Sequence, residues 1–219
     1  MVKPESALRR LMRDTGKLLQ PYGFQGDEPT WVRVQDAGVA TVGRTRTFRT
    51  FTAGQQVLRF GLTMTATPTA WWDFCNWRNT RLGLPPILPE DATGPGLIPD
   101  GLPDSLTELW SMRMPVEQQG HIDPDDLDTI RAELPRRVHA YARRAIRLLE
   151  PDHYLDELLA QPDPHPGSWE AIVVLLADRG PCPQLDHAIE QLLRCASDQD
   201  ASATDQHAIA YAHSRAALV

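Results

Sequence analysis

Lysine is almost missing from this chain: Lys3 and Lys17 are the only two among 22 basic residues, and the rest are arginine. Codon usage produces that skew as readily as chemistry does, so arginine abundance by itself does not mark an anion site. Cysteine is scarce too. Cys75, Cys182 and Cys195 are odd in number, far apart and form no CxxC pair. That pattern argues against a disulfide framework or a zinc ribbon and suits reduced, mostly buried thiols. Cys75 sits among aromatics, yet no nearby pattern supplies a base to activate it. No apolar run approaches bilayer thickness, and the opening MVKPESALRRLMRD has no apolar stretch of signal-peptide length. The expected location is therefore the cytoplasm, with no membrane partner. GxSxG, P-loop, GxGxxG, HExxH, kinase and EF-hand patterns are all missing. No recognisable catalytic motif remains, and no cofactor is expected.

What the chain does have is proline and an uneven charge layout. Its 19 prolines cluster in 85–103 and 162–183, where they punctuate the fold rather than dissolve it. Through residue 80 there are 11 Lys+Arg against 6 Asp+Glu, and the remainder carries 11 against 23. Such asymmetry fits either an anionic partner for the basic part or two halves that complement each other. At 219 residues with 42% hydrophobic content, the chain can build one good core plus an appendage, or two small domains.

The clearest periodicity is QQVLRFGLTMT at 55–65. Leu58, Phe60, Leu62 and Met64 alternate with Arg59, Gly61 and Thr63, which predicts a half-buried strand with one wet, partly cationic face. Residues 5–20 read as an amphipathic helix stopped by Pro21 and Gly23. Trp31 to Val34 starts a strand, Asp36-Ala37-Gly38 turns, and a second strand lies somewhere in 39–51. A short helix after Pro68 carries Trp71, Trp72, Phe74, Cys75 and Trp77. The segment 84–104 is too proline-rich for a helix or a central strand. SLTELWSMRM resembles another short amphipathic element. Asp123-Pro124 opens a helix whose stripe runs to Leu149, with a kink or a break into two helices at Pro135. Helices alone are expected afterwards, over 152–160, 168–179, 184–197 and 204–218. The fold class is therefore α+β: an antiparallel sheet of three to five strands, its apolar face covered by helices 5–20 and 124–149. The expected domains are a sheet domain over 1–150 and a helical extension over 151–219.

The strings LLQPYGFQGDEPTWVRV, FGLTMT, CNWRNTRLG, LTELW and DPDDLDTI together resemble an uncharacterised bacterial family, the domain of unknown function 4304 type, over about residues 8–150. The matching positions are Leu19, Gly23, Phe24, Trp31, Phe60, Cys75, Arg78, Arg81, Leu82, Gly83 and Trp110. Met64 and Asn76 depart from the polar residue and the histidine of that pattern. The resemblance implies a fold and no reaction.

Three groups of residues could carry chemistry. The first is Trp71, Trp72, Trp77, Arg78, Arg81, Trp110 and Arg113, with four tryptophans in forty residues. Tryptophan faces stack on flat or cationic groups and guanidinium forks bind carboxylate or phosphate, although the same residues also suit a core rimmed by solvated arginines. The second is a basic sheet face of Arg44, Arg46, Arg49 and Arg59, near Arg9, Arg10, Arg13 and Lys17 on the first helix. It could meet nucleic-acid backbone, but the overall acidity and the lack of interleaved aromatics favour a solvated face. The third is the seven histidines, several beside aspartate. They lack metal-ligand spacing, and no metal site is expected.

These residues favour a non-catalytic cytoplasmic binding or accessory protein. It would hold a protein or peptide partner, or a small anionic or aromatic ligand, through the open sheet face and the Trp/Arg loop region. The alternative is an enzyme of unrecognised type with a cleft between the sheet and loop 84–104. There Arg78 or Arg81 would hold an anionic substrate, and Asp73, His121 or Asp123 would serve as acid or base. A nucleic-acid binder is the third reading.

Overall fold

The computed structural model describes residues 2–52, 54–96, 101–115, 120–198 and 203–216. The architecture is α+β, with two antiparallel sheets and a C-terminal helical region. The chain forms two compact units: 1–34, 40–65 and 100–146 make the first, and 35–39, 66–99 and 147–219 make the second. Residues 66–99 group with the C-terminal helices.

α1 (Pro4–Leu19) buries Ala7, Leu11, Met12, Thr15 and Leu19 along one face. Gly23, at φ +80°, ends the 3₁₀ turn that follows it, in the left-handed region that glycine enters without a Cβ clash. Phe24 is buried directly after it. β1 (Gln25–Asp27) pairs antiparallel with β2 (Thr30–Gln35).

The segment 38–68 breaks into four strands where two were expected. They are β3 (Gly38–Arg44), β4 (Phe48–Thr52), β5 (Gln55–Phe60) and β6 (Leu62–Pro68). β3 and β6 are neighbours in a four-stranded sheet of order β1-β2-β3-β6. β4 and β5 belong to a three-stranded sheet of order β4-β5-β7. One long hairpin thus feeds two sheets, and the single sheet expected from sequence is replaced by two.

The break is specified locally. Thr45 donates its backbone N–H to the Gly61 carbonyl at 3.0 Å, and the Gly61 N–H donates to Thr45 Oγ1 at 2.8 Å. Continued from Phe48↔Arg59, the β4–β5 register would set Thr45 opposite Leu62. Thr45 engages Gly61 instead, so the ladder slips by one residue, as at a bulge. A Cβ on Gly61 would come within 2.9 Å of Leu109 Cδ2. The alternation survives the corner: Leu58, Phe60, Leu62 and Met64 are buried, while Arg59 and Thr63 are exposed.

SLTELWSMRM divides into a helical turn, α3 (Asp104–Thr107), and a strand, β7 (Trp110–Met114). β7 pairs antiparallel with β5, setting Trp110 opposite Phe60 and Met112 opposite Leu58. α4 (Pro124–Arg147) is one helix that continues through Pro135, where two helices in tandem were one of the expected outcomes. An interior proline costs about 3 kcal/mol, whereas each large apolar side chain buried gains about 1.5–3 kcal/mol. Leu127, Ile130, Leu134, Val138 and Tyr141 are all buried, so burial outweighs the lost hydrogen bond.

In the second unit, α2 (Thr69–Arg81) packs against α6 (Pro166–Ala177) and α8 (Ala203–Ala216), while α5 (His153–Leu159) and α7 (Pro183–Asp198) also meet α6. Every residue from Glu170 to Ala177 is buried, as a helix apolar on all sides requires. No helix among the described residues is long and apolar enough to cross a membrane.

Thr45→Val keeps the shape of the side chain but removes the acceptor for the buried Gly61 N–H. The variant is expected to lose about 1–3 kcal/mol, read as a lower urea midpoint, whereas Thr45→Ser stays close to the parent.

Candidate functional site

α2 is the anchor of the proline-rich loop that follows it. Trp72, Asn76 and Asn79 recur at helical spacing, so one stripe faces that loop. Trp72 Nε1 donates to the Ile87 carbonyl at 3.0 Å, the Ile87 N–H donates to Asn76 Oδ1 at 2.7 Å, and Asn79 Nδ2 donates to the Pro85 carbonyl at 2.9 Å. Prolines lack the N–H needed to bond among themselves, so the helix supplies the partners. Leu82, Leu84 and Leu88 are left more than half exposed along this fixed strip. Farther on, the strip passes close to the backbone of Ala66: a Cβ on Gly94 would lie 2.0 Å from the Ala66 carbonyl oxygen.

The aromatic and arginine group is divided between the two units. Trp71, Trp72, Trp77, Arg78 and Arg81 lie on α2 in the second unit, and Trp110, Arg113, Arg46 and Arg59 lie in the first. Trp71 is buried against Phe74, at 5.3 Å between ring centroids. Phe74 and Trp77 both meet Tyr211 edge-on at 5.3 Å. The two α2 arginines lie over rings of their own helix: Arg81 is 4.2 Å from the Trp77 centroid and Arg78 is 5.4 Å from that of Phe74.

Trp110 is buried in the first unit. Its Nε1 donates to Glu133 Oε2 at 2.9 Å, the Arg137 guanidinium lies 4.5 Å over its ring, and Phe60 is 5.4 Å away. Arg137 is itself buried, paired with Glu133 at 2.7 Å and donating to the Glu108 carbonyl. Arg113 forks onto Asp126, whose oxygens also accept the Arg113 backbone N–H at 2.7 Å. Two points on α4 are thereby fastened to β7, and sequence spacing alone did not reveal the pairing.

The sheet face is less basic than its composition suggests. Arg44 pairs with Glu28 at 2.9 Å and Arg49 with Glu5 at 2.9 Å. Arg46 and Arg59 are exposed and have no ion pair among the described residues. Beside them runs β4, an outer strand of its sheet that is exposed at all five positions. Phe48 is 49% exposed and Phe51 79%, and Phe48 sits opposite Arg59 in the register. An outer strand offers unpaired backbone groups to another chain, and aromatic side chains on it add apolar contact area.

Asp73 and Asp123 each make a local contact. Asp73 lies 3.5 Å from Arg215. Asp123 Oδ1 accepts the Asp125 N–H at 3.1 Å at the start of α4. Neither His121 nor Asp123 shares a unit with Arg78 and Arg81. His165 Nδ1 caps α6 by accepting the Gly167 N–H, and His153 meets Glu157 at 3.1 Å one helical turn on. Among the described residues no three His, Cys, Asp or Glu side chains come together as a metal site. All three cysteines are free, and Cys75 alone is buried. Burial pushes the Cys75 thiol up to about 11, against a smaller opposing pull from Arg78.

Because the folded Cys75 thiol holds its proton to higher pH than an unfolded one, stability is full below about pH 9 and falls as pH rises towards 11. Urea unfolding between pH 8 and pH 11 should show that fall, and Cys75→Ala should flatten it. Asn76→Ala leaves the Ile87 N–H without its acceptor, so limited proteolysis should cut faster within 82–96 than in the parent. No family model matches the chain, and neither a curated protein nor a solved structure matches it.

Proposed function

We propose that this protein is a non-catalytic, cytoplasmic binding or accessory protein that holds a protein or peptide partner. The observation that carries this reading is β4: an outer strand, exposed at every position, with Phe48 and Phe51 presented to solvent and Arg59 alongside. An extended peptide added to that edge would gain main-chain hydrogen bonds from the strand and side-chain contacts from the two phenylalanines. The exposed leucines of the loop fixed on α2, Leu82, Leu84 and Leu88, offer a second apolar contact surface. Large apolar side chains presented on a rigid support are the residue arrangement that binding hot spots use. The similarity to the 4304-type domain of unknown function is compatible with this reading and assigns no reaction.

A photo-crosslinking residue placed at Phe51, Arg59 or Leu84 in the native host tests the proposal. A discrete cross-linked partner is expected from Phe51 and Arg59, lost when Phe48→Asp is added while the circular dichroism spectrum is unchanged. Absence of any discrete adduct from both β4-side positions would refute it. Trp71→Ala and Trp110→Ala are expected to act on folding instead, each costing about 3–5 kcal/mol as large-to-small core changes.

A further inference from the structure

A cleft in the first unit takes no part in the surface just described. It lies between α1 and the β1–β2 hairpin and encloses about 630 Å³, within the range of sites for small organic molecules. The clefts beside Tyr154 and beside Tyr211 in the second unit enclose about 340 and 350 Å³. Its floor is apolar: Met12, Phe24 and Trp31 are all buried. Gly16 is what lets Trp31 seat against the helix, since a Cβ there would come within 2.9 Å of the indole Nε1. That Nε1–H has no acceptor among the described residues.

One wall is a row of cations. Arg9, Arg13 and Lys17 recur every fourth residue of α1, so they share one face and span about 12 Å along the helix axis. Lys17 is loosely paired with Asp14 at 3.4 Å, while Arg9 and Arg13 have no ion pair among the described residues. Asp27 and Glu28 stand on the opposite wall, and the Glu28 charge is taken up by Arg44 at 2.9 Å. The uncompensated charge is therefore two guanidiniums against the single carboxylate of Asp27.

We infer that this cleft binds a small organic anion with a flat or apolar body. A carboxylate, sulfonate or phosphate head sits on Arg9 and Arg13, which offer bidentate donors to planar or tetrahedral oxyanions. The body lies on Met12, Phe24 and Trp31, and the indole N–H is free to donate to it. An apolar floor with a few convergent polar groups is the general form of such sites. This site is separate from β4, so it stands or falls independently of the partner-binding reading.

The test uses 8-anilinonaphthalene-1-sulfonate as probe, titrated into the full-length folded protein and followed by the probe's emission. A single saturable phase is expected. The double variant Arg9→Gln, Arg13→Gln should weaken it by about tenfold or more, the loss of one or two charge-assisted bonds. Both residues are exposed, so the variant keeps its fold, checked by circular dichroism. The neutral analogue 1-anilinonaphthalene should bind the parent about tenfold or more weakly for the same reason. Phe51→Ser, at the exposed phenylalanine of β4, should leave the probe's affinity unchanged. Three results overturn the proposal: no saturable phase, a phase insensitive to the loss of both arginines, or a phase abolished by Phe51→Ser.

Discussion

The corner at Thr45 and Gly61 is the constraint on which the first unit depends. Two strands that would otherwise run as one long hairpin are cut at the same level by a pair of hydrogen bonds. One of these uses the threonine hydroxyl where a ladder would use a carbonyl. The extra residue this inserts re-aims both strands, so β3 and β6 serve one sheet and β4 and β5 the other. A Cβ at position 61 would press on the tip of the Leu109 side chain, which would then have to shift. The buried row from Leu58 to Met64 passes through without a change of face, and it is this continuity that keeps an oily side available to both sheets.

The exposure of β4 is a consequence of that arrangement. β5 takes β7 on its other side, and β7 is held by the two polar fastenings from α4, Arg113–Asp126 and Trp110–Glu133–Arg137. β5 is therefore the central strand, and β4 is one of the two outer strands. Outer strands that carry apolar side chains are usually shielded or charged. β4 instead exposes two phenylalanines and keeps Arg49 tied to Glu5. The same logic of fixing a surface through buried polar bonds recurs on α2, where Trp72, Asn76 and Asn79 hold a proline-rich strip that could not bond to itself.

The tryptophans show how aromatic enrichment divides into support and display. Trp31, Trp71 and Trp110 are buried, Trp72 spends its N–H on the loop, and Trp77 is sandwiched between Tyr211 and Arg81. The aromatics that face solvent most are phenylalanines of β4, which sequence periodicity placed in a strand without saying which strand would lie outermost. Arginine behaves similarly. Arg44, Arg49, Arg113 and Arg137 are consumed by neighbouring carboxylates, whereas Arg9, Arg13, Arg46 and Arg59 are not.

Local patterning was enough to read several elements: α1 from its stripe and its Pro21–Gly23 stop, α5 to α8 from their periodicity and caps, and the burial of Leu58, Phe60, Leu62 and Met64 from strict alternation. These are local properties, set by the period of the backbone and by the residues that end it. Tertiary structure decided the partition into two sheets, the recruitment of Trp110–Met114 as a strand, the persistence of α4 through Pro135, and the cleft beside Arg9 and Arg13. Each of those depends on a partner distant in the chain: Thr45 for Gly61, β5 for β7, a buried stripe for a proline, a hairpin for a helix face. A five-residue alternation such as Trp-Ser-Met-Arg-Met is too short to declare itself, and it becomes a strand because the free edge of β5 supplies the hydrogen bonds its backbone must have.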